Sequence, residues 1–196
     1  MTIANKLTII RIILVPIMVI IPFLGIKGDI FGIPITYIII NFIFILASIT
    51  DKLDGYLARK RNEVTTFGKF ADPLADKILV LSAMIMLVEF NKLPAWIPII
   101  VVAREFVVSG YRLIAVEKGG KVIAASIWGK LKTATQMVAI ILAFLDVNAF
   151  GTIFKGELTG FGFVLNLLAT LFMIVSTIAT IFSGYDYLRH GKELFK

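Results

Sequence analysis

The sequence predicts an all-α integral membrane protein with six transmembrane helices and a polar cavity that faces the cytoplasm. Of the 196 residues, 59% are hydrophobic and 17% are charged, whereas a typical soluble domain has about 25% charged residues. The mean hydropathy is +0.94. The apolar runs are each about 20 residues long, which is the length that crosses the hydrocarbon core of a bilayer. Basic residues concentrate in alternate loops, as multi-pass proteins require.

Six apolar runs define the predicted spans, and glycine, asparagine, proline and charged residues separate them. The first run contains Arg11, Pro16 and Pro22 and lacks a small-x-small cleavage pattern after it. These features favour a retained span over a signal peptide. Nothing indicates a second domain, so residues 1–196 are predicted to form a single membrane domain. The spans cover residues 7–26, 34–57, 71–90, 94–115, 122–145 and 160–188.

Lysine and arginine predict the orientation of these spans. The loops after spans one, three and five contain Lys27, Lys92 and Lys155, whereas the other 17 of the 20 basic residues lie elsewhere. The positive-inside rule therefore places both termini, and the segment between spans two and three, on the cytoplasmic side of the cell membrane. The net charge of +7 reflects this bias and attraction to anionic headgroups. No basic stripe with stacking aromatics predicts a nucleic-acid partner.

The residue inventory excludes several kinds of active site. The chain has no cysteine and one histidine, His190, close to the C-terminus. Disulfides, a cysteine nucleophile, zinc held by several imidazoles and a Ser-His-Asp relay are therefore excluded.

Four aspartates lie in one short segment of this apolar chain. Asp51 and Asp54 are three residues apart, and Asp72 and Asp76 are four residues apart. On a helix, each of these spacings places both carboxylates on one face. Ionisable groups at membrane depth usually mark a functional site. Four converging carboxylates suit two divalent cations about 3.5 to 4 Å apart, as in phosphoryl transfer, and oxygen ligands favour Mg²⁺ or Mn²⁺.

Small and basic residues follow the same faces. Gly55 and Ala58 continue the face of the first two aspartates, which leaves room for a flat base or ribose against the backbone. Arg59 follows them, and its planar guanidinium suits a diphosphate. Each feature alone has a simpler interpretation. An Asp-x-x-Asp pair often lies on a solvated helix face. Gly55 and Ala58 are also typical of helix–helix packing. Arg59 is also explained as a basic residue that only fixes the orientation of the chain in the membrane.

At these positions the chain resembles the CDP-alcohol phosphatidyltransferase family. The signature of that family, D-x2-D-G-x2-A-R-x8-G-x3-D-x3-D, matches at all of its specified positions. The resemblance implies a six-helix membrane fold, usually dimeric, in which an alcohol attacks the β-phosphate of a CDP-linked lipid and releases CMP. The matching residues are Asp51, Asp54, Gly55, Ala58, Arg59, Gly68, Asp72 and Asp76.

The resemblance also implies the role of each site residue. Asp51 and Asp72 bridge both metals, Asp54 binds the first metal, and Asp76 binds the second and acts as the general base for the acceptor hydroxyl. A further set of residues is implied to bind CDP-diacylglycerol. Reasoning from the residues alone, Asn5 or Thr8 serves equally well as a helix N-cap. The CDP-diacylglycerol set comprises Asn5, Thr8, Gly55, Ala58, Arg59, Thr65 and Gly68.

Four cations in the second half of the chain predict an anionic acceptor that bears a phosphate. Arg104 and Arg112 are two four-residue steps apart, so they share a helix face within about 80°. Lys130 and Lys132 point in nearly opposite directions, and Lys130 is the favoured ligand of the two. Glu105, beside Arg104, is equally well explained as a structural partner for a buried cation.

Two segments, REFVVSGYRLIA and VIAASIWGKLKTATQ, resemble the branch of the family whose acceptor is sn-glycerol 3-phosphate and whose product is phosphatidylglycerophosphate. Other acceptors remain open, namely inositol phosphate, serine or phosphatidylglycerol. An ion-coupled transporter is the alternative from a different class. The aspartates lie near one surface instead of the midplane, and no paired broken helices occur, which disfavours the transporter.

Overall fold

Six α-helices account for most of the part of the chain that the structure describes, with one short hairpin. The structure, a computed structural model, describes the backbone of residues 2–61, 66–117, 127–156 and 158–191. Within those ranges it describes all side chains except those of residues 3, 4, 51–61, 66, 67, 69, 70, 116, 117, 190 and 191. The helices are α1 (Ile3–Ile20), α2 (Ile35–Arg61), α3 (Thr66–Glu89), α4 (Trp96–Glu117), α5 (Ile127–Leu145) and α6 (Gly160–Gly191).

The first compact unit comprises residues 1–90 and 144–147. Within it α1 packs against both α2 and α3, and α2 packs against α3. A hairpin of β1 (Asp29–Ile30) and β2 (Ile33–Pro34) precedes α2. Its two-residue turn has positive φ at Phe31 and Gly32, which is the backbone of a type I′ turn. The Asp29 carboxylate accepts a hydrogen bond from the Gly32 amide at 3.2 Å and supports this turn.

The second compact unit comprises residues 91–143 and 148–196. Within it α4 packs against α6, and Trp128 of α5 stacks on Phe182 of α6 with ring centroids 5.0 Å apart. The buried Lys92 donates from Nζ to the Ala143 carbonyl at 3.4 Å, near the C-terminus of α5. Asn166 bonds the backbone of the loop before α6 through both its amide nitrogen and its oxygen.

The predicted all-α class and the number of helices are confirmed within the described ranges. Among the residues that the structure describes, two stretches are long and apolar enough to cross a membrane, Asn5–Leu24 and Gly160–Arg189, and Ile35–Thr50 is a shorter apolar helix. With the composition, these stretches make the chain an all-α membrane protein. Six crossings and a cytoplasmic cavity remain predictions. The predicted start of span five, residues 122–126, lies outside the described residues.

The start of α1 differs from the prediction. The helix begins at Ile3, four residues before the predicted span, and its N-cap is Thr2, whose side chain accepts a hydrogen bond from the Asn5 amide. The interpretation of Asn5 or Thr8 as an N-cap was therefore wrong. The first turn is polar, so hydropathy alone placed the boundary at the first apolar residue, although a threonine cap satisfies the amides that a helix start leaves unpaired.

Candidate active site: an aspartate-bearing unit and a cationic cluster

The buried face of α1 carries three polar residues. Asn5, Thr8 and Arg11 recur at three-residue steps, and they are 8%, 0% and 0% exposed. Residues at this spacing share one helix face, and Val15 and Met18 continue that face as buried apolar residues. The sequence prediction assigned Asn5 and Thr8 to the nucleotide. The structure places both inside the first unit, on the face of α1 that packs against its neighbours.

Asp72 and Asp76 lie half-buried on α3. The Thr8 hydroxyl of α1 donates to Asp72 Oδ1 at 2.5 Å. Gly68, Ala71 and Ala75 of α3 are buried beside them, and small residues of this kind allow close helix packing. The described part of the first unit therefore positions two of the four predicted aspartates, on one helix at the predicted four-residue spacing.

The other two aspartates, Asp51 and Asp54, belong to α2, which packs against α3. Their side chains, and those of Gly55, Ala58 and Arg59, lie outside the described part of the structure, and Thr65 lies outside it altogether. The described side chains include no group of three or more potential metal ligands. A metal site formed by Asp51, Asp54, Asp72 and Asp76 therefore remains a prediction.

In the second unit, Arg104, Arg112 and Lys132 form what we call the cationic cluster, and Glu105 pairs with part of it. Glu105 Oε1 accepts hydrogen bonds from Arg104 Nη1 at 2.8 Å and from Lys132 Nζ at 2.6 Å. Glu105 is therefore a structural partner of two cations, which is one of the roles that the sequence suggested for it. One carboxylate compensates two cations, because an isolated charge is costly to bury.

The fourth predicted cation, Lys130, is exposed, whereas Lys132 is buried at 7% exposure. Gln136, one turn after Lys132, is also buried. The predicted opposition of the two lysines is thus observed. Lys130 was the favoured phosphate ligand, and this assignment stays a prediction, since exposure is compatible with binding a soluble acceptor.

Helix α6 supplies two partners that the sequence prediction missed. Ser183 Oγ accepts from Arg104 Nη2 at 2.6 Å, and Tyr187 Oη accepts from Arg112 Nη2 at 2.9 Å. The Tyr187 ring lies 5.8 Å from the Arg104 guanidinium carbon and 5.7 Å from that of Arg112, within the range of cation–π attraction. The two arginines thus share a face, as predicted. A signal was available, because Ser183 and Tyr187 are four residues apart in an otherwise apolar helix.

Arg104 occupies a position next to two glycines. A Cβ at Gly129 of α5 would lie 3.5 Å from Arg104 Nη2, and a Cβ at Gly184 of α6 would lie 3.5 Å from Arg104 Cγ. Its Nε is buried and has no hydrogen-bond partner among the described residues. A buried donor of this kind costs free energy until it finds an acceptor. The side chain is therefore held in place by α5 and α6 and retains an unused donor.

The shared carboxylate predicts an asymmetry in stability. Glu105→Gln is expected to destabilise the protein more than Lys132→Met, because the first change leaves two cations without a counter-charge and the second leaves Glu105 paired with Arg104. Thermal unfolding in detergent measures the difference. If the double variant Glu105→Gln/Lys132→Met is more stable than Glu105→Gln alone, the uncompensated charge of Lys132 causes most of the stability that Glu105→Gln loses. Equal melting temperatures for the two single variants would contradict the expectation.

Comparison with known proteins identifies the family. The sequence profile described as CDP-alcohol phosphatidyltransferase matches residues 1–182. The chain belongs to this family. It is 42% identical over 199 aligned residues, 98% of this chain and 96% of the relative, to a Bacillus subtilis protein named CDP-diacylglycerol--glycerol-3-phosphate 3-phosphatidyltransferase.

Two more relatives extend the comparison within the phosphatidyltransferase family. A Haemophilus influenzae protein with the same name is 37% identical, over 95% of this chain and 91% of that protein. A Mycobacterium tuberculosis protein named probable phosphatidylglycerophosphate synthase is 35% identical, over 94% of this chain and 79% of that protein. The resemblance stated from the eight signature residues is confirmed, and the chain is a transferase of this family.

Proposed function

We propose that this phosphatidyltransferase transfers the phosphatidyl group of CDP-diacylglycerol to sn-glycerol 3-phosphate, with phosphatidylglycerophosphate and CMP as products. The names of relatives that align over nearly the whole chain support this acceptor. The structural observation that carries it is the cationic cluster, in which Arg104 Nε lacks a partner among the described residues. A phosphate oxygen is the acceptor that such a buried guanidinium donor favours.

The proposed acceptor site combines Arg104, Arg112, Lys130 and Lys132. Arg112 carries the strongest argument, because in the described part of the chain it forms no ion pair and bonds only the neutral Tyr187. Lys132 is already paired with Glu105, so we assign it mainly to holding the cluster together. Lys130 is exposed, so its ammonium group is accessible to a soluble phosphate. This is the role that the sequence prediction favoured for it.

The proposed donor and metal site lies on the first three helices. Two divalent cations, Mg²⁺ or Mn²⁺, would be held by Asp51, Asp54, Asp72 and Asp76 and would stabilise charge on the attacking and leaving oxygens when bound. The family resemblance assigns Asn5, Thr8, Gly55, Ala58, Arg59, Thr65 and Gly68 to CDP-diacylglycerol. Of these, the structure describes the side chains of Asn5 and Thr8, and the backbone position of Gly68 on α3.

In the proposed reaction, Asp76 accepts the proton of the acceptor hydroxyl. That oxygen forms a bond to the β-phosphorus of CDP-diacylglycerol, and the bond from this phosphorus to the oxygen shared with the α-phosphate breaks. The electron pair leaves with CMP. Asp76 suits this role because it is half-buried on the helix face that also carries Asp72, so a base and a metal ligand stand one turn apart.

We also propose the arrangement in the membrane. Six helices would cross the plasma membrane, with both termini and the active site on the cytoplasmic side, in a single domain of residues 1–196 that works as a homodimer. The distribution of lysine and arginine supports the orientation, and the family resemblance supports the dimer.

An acceptor panel tests the proposed function. We expect CMP release from CDP-diacylglycerol in detergent or liposomes with sn-glycerol 3-phosphate, and none above background with serine, inositol phosphate or phosphatidylglycerol. A chelator should abolish the activity, and added Mg²⁺ or Mn²⁺ should restore it, because the carboxylates alone repel each other and the substrate. Release with serine or inositol phosphate but not with glycerol 3-phosphate would overturn the acceptor assignment.

A further inference from the structure

Thr8 is the residue whose observed contact differs most from its predicted role. Its side chain is fully buried, six positions after the Thr2 cap of α1, and its hydroxyl donates to Asp72 Oδ1 on α3 at 2.5 Å. The contact joins residues 64 positions apart. A hydroxyl has one proton to donate, and this proton is committed to a carboxylate that the proposed function assigns to the metals.

A second contact on the same face of α1 reaches the other aspartate-bearing helix. Arg11, one turn after Thr8 and fully buried, donates from Nε to the Ala47 carbonyl of α2 at 3.3 Å. Ala47 precedes Asp51 by four residues, one helical turn. Helix α1 is thereby hydrogen-bonded to both helices that carry the predicted metal ligands, at points within one turn of Asp72 and Asp51.

The contact restricts the Asp72 carboxylate. An aspartate side chain rotates about two bonds, and the terminal torsion is broad, so a carboxylate without a partner samples many orientations. Among the described residues, the Thr8 hydroxyl is the partner of Oδ1. A hydrogen bond to one carboxylate oxygen orients the other oxygen for a ligand, and residues around metal ligands commonly act in this way.

We propose that Thr8 is a positioning residue that orients Asp72 for divalent metal binding, instead of a contact of the nucleotide. This inference rests on the proposed function, in which Asp72 is a metal ligand. Residues that support metal ligands in this way contribute about 10-fold to 100-fold to metal affinity or activity. The methyl group of Thr8 contributes packing, and its hydroxyl contributes the orientation, so the two contributions are separable by substitution.

The substitutions Thr8→Val and Thr8→Ser separate the packing contribution of the methyl group from the orienting contribution of the hydroxyl. Valine keeps the shape and removes the hydroxyl, and we expect it to weaken Mn²⁺ binding by about 10-fold to 100-fold. The Thr8→Ser variant keeps the hydroxyl and should bind Mn²⁺ within about threefold of the unsubstituted protein, because the hydrogen bond that orients Asp72 is retained. Electron paramagnetic resonance of free Mn²⁺, in a titration of purified protein in detergent without substrate, measures the affinity directly.

Thr180→Val is the matched control. Thr180 is equally buried at 0% exposure, and its hydroxyl donates to the Ser176 carbonyl of its own helix at 2.7 Å. The chemical change is the same, but no predicted metal ligand is involved, so Mn²⁺ affinity should stay unchanged. Thermal unfolding of every variant verifies folding. Should Thr8→Val not fold, Thr8→Cys replaces it, and its weak S–H donor should give an affinity between those of serine and valine.

Two results would overturn the positioning role. One is unchanged Mn²⁺ affinity in folded Thr8→Val or Thr8→Cys, and a raised KM for CDP-diacylglycerol in the same variant would then indicate a nucleotide contact. The other is an equal loss of affinity in Thr8→Ser and Thr8→Val, which indicates packing alone. Failure of the proposed function is distinguishable, because the unsubstituted protein would then release no CMP with glycerol 3-phosphate.

Discussion

Asp76→Asn is expected to lower the rate of metal-dependent CMP release by about 10³-fold or more, because it removes both a proposed general base and a proposed metal ligand. General base catalysis alone contributes about 10²-fold to 10⁴-fold, and an amide neither accepts the acceptor proton nor carries the charge that binds a divalent cation. The measurement is CMP release from CDP-diacylglycerol at saturating glycerol 3-phosphate across a range of Mg²⁺ concentrations. A loss that high Mg²⁺ does not restore identifies the base.

Asp29→Asn is the control for this substitution. Asp29 is exposed in the hairpin before α2, and within the described part of the chain its carboxylate accepts a bond from the Gly32 amide. An asparagine oxygen accepts the same bond, so activity should remain close to that of the unsubstituted protein. Wild-type kinetics in Asp76→Asn would refute the base assignment. Activity restored fully by excess Mg²⁺ would leave Asp76 as a metal ligand only.

The helices were predictable because their signal is local. Apolar runs of sufficient length, with glycine, proline and charges between them, correspond to the six described helices, and only boundaries moved. The start of α1 moved by four residues, since Thr2 and Asn5 form a polar first turn that a hydropathy criterion treats as loop. The start of α3 moved by five residues, from residue 71 to Thr66. Helix ends depend on caps of one or two residues, which hydropathy averages over.

The candidate site was predictable in its residue types but less so in its contacts. A strict eight-residue signature located the aspartates, and a run of cations in apolar helices indicated an anion. The partner of Thr8 lies 64 residues away, and a single threonine in an apolar helix carries no information about a partner at that separation. The burial of Lys132 was likewise unpredictable, because it depends on Glu105 of another helix, which compensates its charge.

Tyr187 shows which kind of information was overlooked. It is a nearly fully buried side chain, 2% exposed, at the cytoplasmic end predicted for α6, and it contacts both arginines of the cationic cluster. A tyrosine four residues after a serine in an apolar helix places two hydroxyls on one face. Since buried hydroxyls need partners, this pattern indicates polar neighbours, although only the packing of α4 against α6 identifies them.

Arg112→Ala is expected to raise the KM for glycerol 3-phosphate by about 10-fold to 100-fold with little change in kcat. A hydrogen bond to a charged group contributes about 1.5 to 3 kcal/mol, and each 1.4 kcal/mol corresponds to about tenfold in affinity. Arg112 bonds Tyr187 but forms no ion pair within the described part of the chain, so its charge is available to a phosphate. Loss of binding that is equal in the ground and transition states raises KM and leaves kcat unchanged.

Two further variants test whether the effect on KM comes from the Arg112 guanidinium itself or from the Tyr187 side chain that contacts it. Tyr187→Phe removes the hydroxyl that bonds Arg112 Nη2 and keeps the ring beneath the guanidinium, so KM should rise by less than in Arg112→Ala, because the charged group that binds the phosphate is retained. Arg189→Ala removes an exposed arginine of α6 that has no proposed role and should leave KM unchanged. If Arg112→Ala instead lowers kcat at unchanged KM, Arg112 acts on the transition state, and the assignment to ground-state phosphate binding is wrong.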